Sequence, residues 1–347
     1  MIDSKVTIVC TSYNYGQYIS HALDSFLQQK TNFTFDILVV DDCSTDNSVE
    51  ILKDYVERYP DKIRVVQNPQ NQGITRTWIA ICKEVTAKYI ARCDADDYWI
   101  DEYKLQKQYD LLESNPDSKW CNTDFNIVDE NDVVVYENVF QNGPIPYANT
   151  YAKMLATKGM TLPSSWMVET QLMQEVNNLI APDSTDDTYS IQLELFHQTE
   201  LTFLSDATVA YRMTSDSDSR PVSPEKMEYR INGLKETQLF YLHKYPNQDM
   251  QEIAILQVER EAQQELRVFA LRSEVNKLME INHNHSQTIK NQHDVIENQT
   301  VEIQQIRENL AEIIAEKEEI LHQYNTVISS CRWVFTTKLI NLFRRKK

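Results

Sequence analysis

Through residue 125 the chain alternates short apolar strand-like runs with stretches of helical period. The runs are Val6–Cys10, Phe35–Val40, Ile63–Val66 and Tyr89–Arg92, with Lys119–Asn122 as a fifth. Helical patterns lie near Gln17–Gln29, Asp46–Tyr59, Ile74–Val85 and Glu102–Ser114. A strand with apolar residues on both of its alternating faces has no wet face, so helices must cover both sides of its sheet. The spacing therefore predicts an α/β fold, a Rossmann-like and mostly parallel sheet flanked by helices. Such sheets bind ligands beyond the carboxyl ends of their strands, so chemistry is expected just after each run.

Residues 126–247 are less regular. Val133–Tyr136 alternates like an edge strand, Tyr147–Thr157 and Gln171–Leu179 read as helices, and Leu201–Met213 is strand-like. They are expected to complete the same domain, with 1–125 as its nucleotide-binding half and 126–247 as its acceptor half. From about 250 the character changes, with no proline beyond Pro246 and no glycine beyond Gly233. A heptad register places Ile289, Ile296, Ile303, Leu310, Lys317 and Tyr324 at a, and Gln292, Gln299, Ile306, Ile313, Ile320 and Val327 at d. The frame runs back through Val268, Leu271, Val275 and Leu278, interrupted by Asn282 and His285. Sustained heptads predict a long coiled-coil helix over 250–328 and a homo-oligomer. Residues 289–327 alone would form a rod of about 58 Å at about 1.5 Å per residue.

Charge narrows the partners. Residues 1–247 carry 21 basic and 37 acidic side chains, a net −16, whereas 248–347 carry 13 and 15, a net −2. An acidic body repels phosphates, which argues against nucleic acid and calls for a cation or local donors wherever a phosphorylated substrate binds. The six cysteines, Cys10, Cys43, Cys82, Cys93, Cys121 and Cys331, form no CxxC pair and no zinc spacing. They read as reduced cysteines of a cytoplasmic protein. No signal peptide is expected before the first strand, and no apolar run reaches spanning length.

The sharpest feature is Asp94-Ala95-Asp96-Asp97, directly after the run Tyr89–Arg92. Adjacent carboxylates resist joint ionisation unless a charge compensates, and a hard divalent cation with oxygen ligands supplies one. A solvated acidic turn would explain the triplet alone; its place at a strand end favours the cation. Asp41-Asp42-Cys43-Ser44-Thr45-Asp46 follows the second run, and helix capping explains only its later members. Thr11-Ser12-Tyr13-Asn14 follows the first run and offers a ring for stacking beside polar groups for a base edge or ribose.

With Asn71-Gln72-Gly73, these segments resemble the family 2 glycosyltransferases of the GT-A fold, closely over residues 5 to about 125 and loosely over 126–215. The resemblance implies a nucleotide-diphosphate sugar donor (a UDP- or dTDP-sugar), Mn²⁺ or Mg²⁺, and inversion at the anomeric carbon. It also implies that Thr11, Tyr13 and Asn14 lie at the nucleotide, Asp42 at the base or ribose, and Arg76 at the donor. Asp94 and Asp96 would serve the nucleotide and the metal, with Asp97 as an alternative ligand. The family's acidic pair in the acceptor half corresponds to Asp186-Asp187 before the helix Thr188–Phe196, with Asp187 as the base. Two departures stand out. Tyr211-Arg212-Met213-Thr214 has threonine where many relatives have a histidine, and Thr77-Trp78-Ile79 replaces a second Asn-x-Gly, predicting a packed helix there.

The last stretch, 329–347, combines Trp333, Phe335, Leu339, Ile340, Leu342 and Phe343 with six basic residues and no acidic one. It suits an anionic leaflet, placing the enzyme peripherally on the inner face of the cell membrane near a glycan or lipid-linked glycan acceptor. Two other classes compete with this reading. A nucleotidyltransferase would carry a glycine-rich basic phosphate loop, whereas Thr11–Gln17 has one glycine and no lysine or arginine. A non-catalytic coiled-coil assembly protein would have no need of the intact acidic triplet.

Overall fold

The computed structural model describes residues 4–143, 145, 147–184, 187–214, 223–246 and 248–344, apart from the side chains of 187 and 331–333. Asp186 and the terminal Arg345, Lys346 and Lys347 lie outside the described residues. Those up to Ala262 form one compact unit and those from Gln263 a second.

The first unit is built on one sheet. Among the described residues its strands are β1 (Val6–Ser12), β2 (Phe35–Asp41), β3 (Ile63–Gln67), β4 (Tyr89–Asp94), β5 (Tyr98–Trp99), β6 (Trp120–Val128), β7 (Val134–Tyr136), β8 (Met167–Glu169) and β9 (Leu201–Arg212). Their order is β3-β2-β1-β4-β8-β6-β9-β5, with β7 on the outside of β6. The first four are mutually parallel. The helices of this unit are α1 (Ile19–Leu27), α2 (Ser48–Arg58), α3 (Ile74–Cys82), α4 (Lys104–Ser114), α5 (Val139–Asn142), α6 (Tyr151–Thr157), α7 (Thr170–Asn177), α8 (Asp187–Gln198) and α9 (Pro224–Lys244).

Side-chain alternation along strands that are apolar on both faces feeds two cores. Ile8 and Cys10 pack with Leu23, Phe26, Leu52 and Leu105 on one face. Val9 and Leu38 pack with Trp78, Ile81, Leu172 and Ile191 on the other. Trp78 is fully buried within α3, so the segment departing from the family's Asn-x-Gly is the packed helix its residues predict.

Past β4 the sheet takes in antiparallel strands. The predicted fifth strand, Lys119–Asn122, is the start of the longer β6, and it does not lie beside β4. The three-residue β8 inserts between them, antiparallel to both. So short a strand carries no readable period of its own. Its insertion brings the preceding 3-10 turn, Pro163–Ser165, against the end of β4.

A third apolar cluster joins α6, α8 and α9 to the start of α10 (Met250–Ser329), through Tyr151, Met154, Leu155, Tyr189, Leu193, Tyr241 and Ile253. Buried Glu194 of α8 accepts hydrogen bonds from Lys244 Nζ at 2.5 Å and Tyr245 Oη at 3.0 Å. The helix expected as a coil from 250 thus packs its first turns into the first unit through buried Ile253. The second unit comprises α10 from Gln263 onward and α11 (Cys331–Arg344). Its apolar side chains are exposed, including Val268, Leu271, Ile296, Ile303, Ile306, Leu310, Ile313 and Ile320. Among the described residues no helix is long and apolar enough to cross a membrane.

Candidate functional site

Strand register sets the geometry. Ser12 lies opposite Asp41 across β1 and β2, and Thr11 opposite Asp94 across β1 and β4. The three polar segments found in sequence therefore leave the sheet side by side. The loops after β1 and β2 are stapled together. Asn14, in the left-handed region at φ 57°, donates its N–H to Ser44 Oγ at 2.8 Å, and its Oδ1 accepts the Thr45 N–H at 2.8 Å. The Gly16 N–H donates to Asp46 at 2.9 Å. A side chain at Gly16 would meet Asn47 Oδ1 at 2.0 Å, so Asn47 would have to turn aside to admit one. Tyr13 stands on this scaffold as an exposed residue, 43% accessible.

Asp41 and Asp42 divide the work of the second segment. Asp41 accepts the Ser44 hydroxyl and N–H, at 2.5 and 2.9 Å. Asp42 accepts Asn68 Nδ2 at 2.7 Å and the Gln72 and Gly73 N–H groups at 2.9 and 2.8 Å. It thereby fixes the Asn71-Gln72-Gly73 turn, where Gly73 at φ 82° takes a conformation that favours glycine. Arg76, on the helix that follows, pairs with Asp183.

The acidic triplet is resolved into three environments. Asp94, at the end of β4, accepts the Thr11 hydroxyl at 2.6 Å and the Arg92 guanidinium at 3.3 Å. Arg92 is only 2% exposed and lies over the rings of Trp78 and Trp166, 4.4 and 5.9 Å from their centroids. Asp96 is half-buried. Burial first, and the Asp94 carboxylate second, push it up to about 7, against the pull of the Tyr15 hydroxyl and Arg212. Asp97 is buried, with Ser164 Oγ donating to it at 2.5 Å and the Arg212 N–H at 2.9 Å. Burial and Asp96 hold it well above the usual carboxylate range. Its two oxygens are thus engaged by internal donors, and its burial sets it apart from the half-buried Asp94 and Asp96 as a ligand candidate.

Three bracing residues are invisible at the triplet itself. Ser164 also accepts the Asp94 N–H at 3.3 Å, so one hydroxyl links two of the aspartates. Arg212 sends Nε to the Asp96 carbonyl at 2.9 Å and Nη1 to Asp132 at 2.7 Å. Tyr15 completes the set at Asp96. Arg212 belongs to the Tyr-Arg-Met-Thr segment, whose sequence signal concerned its last residue alone. Asp187 opens α8, but its side chain lies outside the described atoms.

The donor set fits a hard divalent cation. Asp94 and Asp96 offer oxygen ligands, and Asp96 carries a penalty on its charged form that a cation would relieve. Among the described residues no three His, Cys, Asp or Glu side chains form a ready-made cage, so a bound ion would need ligands from elsewhere, such as a substrate.

Residues 7–176 match Glycosyl transferase family 2. An uncharacterized protein of Mycobacterium tuberculosis is 36% identical over 116 residues, which are 33% of this chain and 34% of that one. The putative teichuronic acid biosynthesis glycosyltransferase TuaG of Bacillus subtilis is 33% identical over 107 residues, 31% of this chain and 41% of that one. The chain thus spans about a third of the length of the curated relatives first matched. In three dimensions it is similar to S. aureus TarS in complex with UDP-GlcNAc, with a TM-score of 0.51 and 21% identity over 67% of this chain and 66% of that one, a likeness of fold. Residues 7–176, which hold the loops and acidic triplet described above, thus form a segment of the glycosyltransferase family 2 type.

Proposed function

We propose that this protein transfers a sugar from a nucleotide-diphosphate sugar to a hydroxyl of a cell-surface glycan, inverting the anomeric carbon. The observation that carries the reading is the convergence of Thr11, Tyr13, Asp94 and Asp96 at the carboxyl ends of β1 and β4. Tyr13 stacks on the base, while Thr11 and Asn14 line the nucleotide. Asp42 acts by holding the Gln72-Gly73 turn against the base or ribose, and Arg76 reaches the donor by exchanging its Asp183 partner. Asp96 and Asp94 hold the metal, and Asp97 braces them from beneath. The cation, Mn²⁺ or Mg²⁺, would neutralise charge that grows on the departing diphosphate.

In the transfer, the acceptor oxygen forms its bond to the anomeric carbon as the bond from that carbon to the diphosphate oxygen breaks. The bonding pair leaves with the diphosphate, and the acceptor proton passes to Asp187. The acceptor is assigned to cell-surface polymer synthesis because TuaG and other relatives carry such names. The domain is proposed to comprise residues 1–247, followed by the rod and a basic tail.

A thermal-shift screen of UDP-, dTDP- and GDP-sugars with Mn²⁺ tests the donor assignment. One nucleotide should raise Tm with the metal and do little without it; a chain indifferent to all of them would refute the reading. The tail is proposed to rest on anionic lipid, since exposed Phe335, Leu342 and Phe343 stand beside Lys338 and Arg344. Cosedimentation with phosphatidylglycerol vesicles, released by high salt, is expected; indifference to them at low salt would remove the membrane from the account.

A further inference from the structure

The apolar residues of α10 from Val268 to Val327 are exposed along an uninterrupted helix, a seam that one helix cannot bury. Its polar layers say how it is covered. With Ile303 at a, Asn282 and Lys317 fall at a, and His285, Gln292 and Gln299 at d. We propose that identical rods associate in parallel and in register, each layer facing its own copy.

Layer matching favours that arrangement. In register, amide meets amide at Asn282, Gln292 and Gln299, where each side chain brings both a donor and an acceptor. Ile296, Ile303, Ile306, Leu310, Ile313 and Ile320 then meet themselves. An antiparallel pair overlapping fully over 268–327 places a against d. It buries Asn282 against the partner's Ile313, Gln299 against Ile296, Gln292 against Ile303 and Lys317 against Leu278. Each such layer leaves polar atoms facing hydrocarbon, which costs more than pairing them. Sliding that pair to set Asn282 against Gln299 still opposes Ile289 to Gln292 and Ile296 to His285, and it sets Ile320 against Glu261.

Charge agrees. In a parallel coil the g side chain of one helix meets the following e of the next, so Glu302 meets the partner's Arg307. An a side chain lies beside the preceding g of its neighbour, which gives Lys317 the partner's Glu316. Isoleucine at both a and d favours three or four strands over two, whereas the single asparagine at a fixes register at some cost in stability. The consequence is that the α11 tails emerge together at one end of the coil.

The inference rests on self-association of the rod and is independent of the chemistry. Sedimentation of the full chain is expected to give a mass above one protomer; a monomer would remove self-association itself. Ile303→Cys in the full chain, with Cys331→Ser to silence the tail, is then oxidised with copper-phenanthroline. Bridging between two Ile303→Cys chains supports the parallel register. If the protein is oligomeric but that variant does not bridge to itself, while a mixture of Ile303→Cys and Gln292→Cys chains bridges, the antiparallel arrangement holds and the inference falls. Tm values of the oxidised and reduced forms check that bridging does not report an unfolded chain.

Discussion

Asp96→Asn is expected to lower kcat/KM by about 10³-fold or more, since a bound cation contributes several kcal/mol to the departing charge. The fold should survive it. Burial and Asp94 disfavour the charged carboxylate at this position, so a neutral isostere removes an electrostatic cost. The sign can be followed with pH. A carboxyl near 7 in the fold and near about 3.9 unfolded binds more protons when folded. Its contribution to stability therefore declines as pH rises through that window, and above it the folded protein bears the full cost. A divalent cation at pH 8 should consequently raise the Tm of the wild type and leave that of Asp96→Asn nearly unmoved. Equal shifts in the two proteins would place the ion elsewhere, and an active variant in EDTA would end the metal assignment.

Asp187→Asn should reduce kcat by about 10²-fold or more while leaving donor affinity near that of the wild type. The competing explanation is a helix-terminus residue, and the substitution separates the two. Asp187 opens α8, where loss of its charge would forfeit only about 0.3–1 kcal/mol of helix-end electrostatics. The helix itself is held by buried Tyr189, Ile191 and Leu193, and by Gln192, whose Oε1 accepts the Thr161 hydroxyl at 2.7 Å. A small loss of Tm with a large loss of kcat identifies the base. Donor binding lost at unchanged kcat would move Asp187 into the donor site.

Local spacing explains what the sequence revealed. The triplet, the Asp-Asp pair and the Thr-Ser-Tyr-Asn segment each follow an apolar run directly, and parallel registration then aligns them. The supports of the triplet come from farther along the chain. Ser164 reaches Asp97 across 67 positions and Arg212 across 115, so no window around Asp94 contains them. The resemblance puts Asp42 at the base or ribose, and its bonds to the Gln72 and Gly73 N–H groups needed the fold. Lys104 shows the same limit in the core, since a lysine is ordinarily a surface residue. It is fully buried over the Trp99 ring, 4.2 Å from the centroid, with Nζ donating to Gln108 at 2.5 Å and burial pulling it down to about 8. The heptads of α10 were legible because they repeat, whereas the docking of its first turns on Tyr151 and Tyr241 left no periodic trace.

Release of nucleoside diphosphate by the wild-type chain, incubated with a panel of nucleotide sugars in Mn²⁺, Mg²⁺ or EDTA, bears most directly on the central claim. Release from one donor or a narrow set, dependent on the ion and accelerated by a surface-glycan acceptor, is the expected result. A chain that binds no donor and releases no diphosphate with either ion, while its Tm shows it folded, would contradict the account.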